Sequence, residues 1–184
     1  MEENTEPTPT FMNHVIKWGL ITAAVSIILT MLLYVIDYTI MVQVKFLFIS
    51  LAIYLGITIY AGIDYRKSIG GFMPFGSAWK HGFLVLALSG LVGTLFSLVL
   101  YNVIDPELPE KLVDASIENT RAIMENFGAP EEAMDEALEK ARVDTADRFT
   151  VKGIALGYIF IVVFSAIMAL ISGLFVKKNQ PEMM

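Results

Sequence analysis

The chain has two histidines and no cysteine, and few other groups able to do chemistry. His14 stands near the N-terminal end and His81 just ahead of a long apolar run. Neither has a second His, Asp or Glu at metal-ligand spacing, so both read as residues of a membrane interface. Asp64, Tyr65 and Arg66 follow one apolar run and Lys80 precedes the next. With Gly70, Gly71 and Phe75 between them they form a candidate loop cluster, read as a small structural ion-pair group. Asp135, Glu136 and Glu139 gather on adjacent turns of a helical pattern. They lack alternating oxygen ligands around a central glycine, so a solvated acidic face is expected rather than a calcium loop. Nucleophile elbow, phosphate loop, HExxH and dinucleotide fingerprint are all missing from the sequence. The expectation is a non-enzymatic protein with no catalytic, cofactor-binding or metal site. A net charge of -6 argues against nucleic acid as a partner.

The elements that must position these residues are set by lipid. With 55% hydrophobic and 17% charged residues in 184, the chain is too apolar for an ordinary soluble fold. A hydrocarbon core about 30 Å thick needs roughly 20 apolar residues in helix, with every backbone group satisfied internally. Four stretches qualify, near residues 18–36, 46–63, 82–103 and 153–176, none with a charge in its interior. The acidic, Pro/Thr-rich opening has no positive n-region and no cleavage site after Tyr34, so the first stretch reads as an uncleaved span. Lys17, Arg66, Lys67, Lys80, Lys177 and Lys178 all fall on one side of such a topology, which predicts cytoplasmic termini.

Small and hydroxyl residues recur inside the spans at steps of four: Thr22, Ser26 and Thr30; Ser50, Tyr54 and Thr58; Ser89, Gly93 and Ser97; and Gly153 with Gly157. Such faces let helices approach closely and exchange weak hydrogen bonds. Packing is the plainer reading and a polar path between helices the alternative. Gly70 to Trp79, broken by glycine and Pro74, predicts an interfacial turn leading into the third span, with a re-entrant element as its alternative.

Between the third and fourth stretches the composition turns to that of soluble helix, broken once at Gly128-Ala129-Pro130. Val113, Ile117, Thr120, Met124 and Phe127 make one apolar stripe, and Met134, Ala137, Leu138 and Ala141 a second. Stripes this thin predict a hairpin that moves relative to the membrane part. The organisation expected is therefore all-α. A disordered cytoplasmic tail occupies 1–14, transmembrane helices one to three 15–104, an acidic extracytoplasmic hairpin 105–150, transmembrane helix four 151–178 and a cytoplasmic tail 179–184, as in a four-helix membrane bundle.

Tyr65-Arg66, Gly70-Gly71, Phe75, Ala78 and Gly82, then Tyr101-Asn102-x-Ile104-Asp105-Pro106 and the helical insert, stand in an order that resembles the DUF4199 family. These are four-span bacterial proteins of unknown function, mainly from Bacteroidetes. The resemblance covers nearly the whole chain beyond the tail. It implies an inner-membrane location and a periplasmic hairpin, and carries over no catalytic residue. The expected role is an accessory, scaffold or homo-oligomeric protein that works through helix contacts and its hairpin, with the bilayer and a membrane-protein partner as its surroundings. A small transporter or channel is the alternative. Because the chain has no native cysteine, topology has a clean measurement: a thiol probe should label Ser116→Cys from outside intact cells and Ser68→Cys only after permeabilisation. Labelling of both from outside would refute the orientation.

Overall fold

A computed structural model describes residues 10–180, and among these the protein is all-helical with no strand. The tail expected to be disordered lies outside the described residues up to position 9, and 181–184 of the second tail lie outside as well. Six α-helices follow in order: α1 Phe11–Ile36, α2 Val44–Ser68, α3 Phe75–Val99, α4 Leu108–Asn126, α5 Glu131–Arg148 and α6 Val151–Val176. A 3-10 turn, Tyr38–Val42, joins α1 to α2, and a π turn, Leu100–Ile104, ends α3.

Four of these helices, α1, α2, α3 with its π turn and α6, are long and apolar enough to cross a membrane. At about 1.5 Å per residue, helices of 25 or 26 residues exceed the hydrocarbon thickness by more than a turn. The boundary of the first is corrected: α1 begins at Phe11, so residues 11–14 belong to the helix and not to a tail. Thr10 starts it, its hydroxyl taking the Asn13 N–H at 3.3 Å and its carbonyl the His14 N–H at 3.0 Å. Only 17–33% of each apolar window is buried within the chain, so side chains such as Val35, Phe160 and Phe175 turn outward as lipid-facing residues do.

The chain divides into two compact units, one of residues up to 24, 52–90 and from 161 onward, the other of 25–51 and 91–160. In the first, ends of four helices close a ring through small residues. Gly19 of α1 lies against Leu88 of α3, Gly62 of α2 against Val176 of α6, and Gly82 of α3 against Ser172 of α6 and Thr58 of α2. The α2–α3 connection turns at Gly70 and Gly71, with φ of 95° and 86°, angles that residues with a Cβ rarely adopt. It then pairs Met73 with Lys178 through two backbone hydrogen bonds of 2.8 Å. The expected turn is thus present, tied to the segment after α6, and α3 starts at Phe75.

The second unit holds the insert. Val113, Ile117 and Leu138 are buried between α4 and α5, with Ala141 and Phe149 beside them, so the two thin stripes cover one another. Phe127 departs from its stripe and is 86% exposed, because Gly128 at φ 69° turns the chain just past it. Pro130, the last residue of the break, is the N-cap of α5, which starts at Glu131. Leu108 and Leu112 of α4 are buried with Leu100 against Tyr34, Tyr38, Met41 and Val42. Beyond the two stripes, α4 has a second apolar face packed on the α1–α2 turn.

Asp105 holds that junction. Its carboxylate accepts the Glu107 N–H at 3.0 Å, the Leu108 N–H at 3.1 Å and the Tyr34 hydroxyl at 3.2 Å, with the Lys111 ammonium at 3.6 Å. Partial burial works against the anion. The Glu107 N–H, the Tyr34 hydroxyl, Lys111 and the Leu108 N–H outweigh it and hold the carboxyl below its ordinary value. A depressed carboxylate contributes stability that is full above the unfolded value, near 3.8, and is lost as pH falls through the folded one. Asp105→Asn should therefore lower the melting temperature in detergent at pH 6, and the gap to the parent should close below about pH 4. A gap constant from pH 6 to 3 would sink the assignment.

Candidate functional site

A hydroxyl buried in an apolar helix end can satisfy its donor on the carbonyl a turn back, and the span residues do so. Thr22 donates to Trp18, Thr58 to Tyr54, Ser89 to Leu86, Ser97 to Gly93, Ser165 to Ile161, Ser172 to Ala169 and Ser50 to Leu47, at 2.7–3.2 Å. Their donors are spent within their own helices. Thr22, Thr58, Ser89, Ser165 and Ser172 are buried, while Ser26, Thr30, Tyr54, Gly93 and Ser97 are half-buried. Gly153 backs onto the carbonyl end of α5, where a Cβ would meet Asp147 and Arg148 backbone, whereas Gly157 faces open space. The stripes therefore do not act as one surface.

Imidazoles have no such local remedy, and in the first unit they find each other. His14, one turn into α1, and His81, two turns into α3, are 3% and 0% exposed, and His14 Nδ1 lies 2.9 Å from His81 Nε2. His14 Nε2 lies 3.2 Å from Asp64 Oδ2, near the end of α2, and Trp18 Nε1–H donates to the same oxygen at 3.2 Å. Aromatic rings enclose the pair. Tyr65 stacks on His81 at 5.3 Å and 9°, and Phe11 meets both Tyr65 and His81 edge-on at 5.5 and 5.9 Å.

The carboxylate fixes the tautomers, because an anion can only accept. His14 must carry its proton on Nε2 to donate to Asp64, which leaves Nδ1 as an acceptor. His81 must then carry its proton on Nε2 and leave Nδ1 bare. That last nitrogen is buried and has no partner among the described residues, an arrangement that costs about 1–3 kcal/mol in desolvation. Asp64 keeps 43% of its side chain exposed, so one end of the chain of three groups touches the surface and the other ends inside.

The expected loop cluster is redistributed. Asp64 turns to His14 and Trp18, and Tyr65 is buried against His81. Arg66 donates from Nη1 to the Val176 carbonyl at 2.6 Å, and the Lys80 ammonium lies 5.9 Å over the Phe11 ring. Among the described residues neither Arg66 nor Lys80 is in an ion pair with Asp64. Helix ends supply acceptors that a side-chain pairing scheme leaves out. Phe75 packs beneath Gly173, and Ala78 is buried. His14 and His81, expected near the ends of apolar runs, are enclosed there by neighbouring helix ends. Sequence pattern missed their pairing because 67 positions separate them; the available signal was that His14, Asp64 and His81 each stand a turn or two from the end of an apolar run, on the same side of the expected topology.

No group of three or more His, Asp or Glu able to hold a metal occurs among the described residues. A family model described as a protein of unknown function, DUF4199, matches residues 17–178. No curated protein and no solved structure matches the chain.

The ring that holds this cluster has a direct test in its glycines. A Cβ on Gly62 would lie 2.6 Å from Val176 Cγ2, whereas one on Gly56 of the same helix meets nothing within 4 Å. Gly62→Ala should cost about 1–3 kcal/mol of stability in detergent. Gly56→Ala should be neutral or gain up to about 1 kcal/mol. Equal effects of the two would refute close α2–α6 packing.

Proposed function

The chain belongs to the DUF4199 family, and we propose that it is a bacterial inner-membrane protein that acts without catalysis, as an accessory or scaffold subunit or a homo-oligomer. Both termini are cytoplasmic in this reading and the α4–α5 hairpin stands in the periplasm. The distribution of Lys17, Arg66, Lys67, Lys80, Lys177 and Lys178 supports that orientation.

One observation carries the contact role: a hairpin whose own apolar stripes are used up still presents an uncovered aromatic residue at its tip. Phe127 is 86% exposed beside the left-handed Gly128, and Glu131, Glu132, Asp135, Glu136 and Glu139 beyond it are all exposed. An exposed aromatic residue flanked by one sign of charge suits a protein surface carrying an apolar socket within basic residues. Arg142 and Asp114 pair across the hairpin at 2.9 Å, but both are half exposed, so they contribute well under 1 kcal/mol and leave its rigidity to the apolar seam. A conducting path along the span hydroxyls is the weaker reading, because Thr22, Ser50, Thr58, Ser89 and Ser97 donate to their own helices.

A photoreactive residue at Phe127 should give a discrete cross-linked adduct in membranes, the protein should purify in mild detergent as an oligomer or with a fixed companion, and proteoliposomes should show no solute flux. A strictly monomeric, companion-free protein would overturn the proposal, and so would flux.

A further inference from the structure

We propose that Asp64, His14 and His81 form a proton relay that exchanges a single proton between the buried core of the first unit and the aqueous boundary at Asp64. Three observations on different helices support it. The nitrogen and oxygen atoms stand in series at 2.9 and 3.2 Å. The carboxylate sets one tautomer for both rings, so each has a proton on the side facing Asp64 and a lone pair on the other. The series ends inward on His81 Nδ1, a buried acceptor with no partner among the described residues, and outward on a carboxylate 43% exposed.

The transfer balances with one proton donor at the inner end and water at the outer end. A hydronium or hydroxylic donor reaching His81 Nδ1 forms an N–H bond there. The proton on His81 Nε2 passes to His14 Nδ1, and the proton on His14 Nε2 passes to Asp64 Oδ2, which gives it up to water. Both rings begin and end neutral with their tautomers inverted, and the reverse passage restores them. Between those states one extra proton is held by the pair, and the Asp64 charge beside it favours that state.

The surroundings keep the relay confined. From α1, Lys17 lies over the Trp18 ring at 5.8 Å, and from α3, Lys80 lies over the Phe11 ring at 5.9 Å, so both ammoniums rest on aromatic rings. From α2, Tyr65 covers His81 with its ring face, while Arg66 is turned to the Val176 carbonyl of α6. Trp18 Nε1–H occupies the shared Asp64 oxygen and keeps that carboxylate aimed at His14. Asp64 is the acidic side chain bonded to either imidazole.

Histidine-selective 15N NMR of the whole chain in lipid nanodiscs tests this cleanly, because there are two histidines to observe. At pH 8 both rings should show the Nε2–H tautomer, with a scalar coupling across the N–H···N bond joining them. On acidification both should respond at one shared midpoint, and Asp64→Asn should weaken proton uptake by the pair about tenfold. His14→Gln removes the middle link, after which Asp64→Asn should affect His81 far less than it does with His14 present. Opposite tautomers, two separate midpoints, or a His81 indifferent to Asp64→Asn while His14 is present would each overturn the relay. Should a variant fail to reconstitute, the tautomers and coupling of the unaltered chain decide the matter.

Discussion

A backbone amide in hydrocarbon has no water to turn to, and that one constraint sorts the polar groups of the four long helices. Helices satisfy the main chain internally. Thr22, Ser50, Thr58, Ser89, Ser97, Ser165 and Ser172 follow the same rule, returning their donors to the carbonyl a turn back. What cannot be solved within a helix is a ring with two nitrogens and a carboxylate with two oxygens. Such groups are stable in an apolar setting only in each other's company, and in the first unit they are together at helix ends, where Asp64 still reaches the surface.

Glycine allows that company. Imidazoles on α1 and α3 approach to 2.9 Å only if the helices that bear them can come close. Gly19 against Leu88 and Gly82 against Ser172 and Thr58 remove the side chains that would hold them apart. The same logic explains residues that carry the family resemblance. Tyr65 is the stacking face of His81, Arg66 satisfies the last carbonyl of α6, Gly70 and Gly71 make the left-handed turn, and Gly82 is a point of closest approach. In the other unit Tyr101 packs on Phe149, and Asp105 closes the π turn by donating its N–H to the Leu100 carbonyl at 2.9 Å.

Apolar length and periodicity made the four long helices and the packed pair α4 and α5 legible from sequence, since both depend on local composition. Val113, Ile117 and Leu138 could be read as a seam for that reason. The docking of Leu108 and Leu112 on the α1–α2 turn was not legible, because a second apolar face on α4 looks like scatter until its partner is known. The site was less legible still. Charge matching suggested Asp64 with Lys80 and Arg66, but a guanidinium near a helix C-terminus competes for bare carbonyls, and an ammonium near an aromatic ring can rest on its face. With the cations so engaged, the carboxylate is left to the nearest N–H donors, His14 and Trp18.

The histidine pair also changes how the absence of charge from the spans bears on function. A proton-handling membrane protein is ordinarily sought through an acidic residue at mid-span, because a fixed charge there is costly and rarely retained without use. A neutral imidazole pair avoids most of that cost. Its rings are apolar enough to stack on Tyr65 and Phe11, and they become charged only while a proton is held. The bare Nδ1 of His81 is the remaining cost, since a leucine of similar size would pack there without an unsatisfied acceptor. A buried acceptor aligned through a second ring to an exposed carboxylate is costly as packing alone, and proton exchange supplies a reason for it.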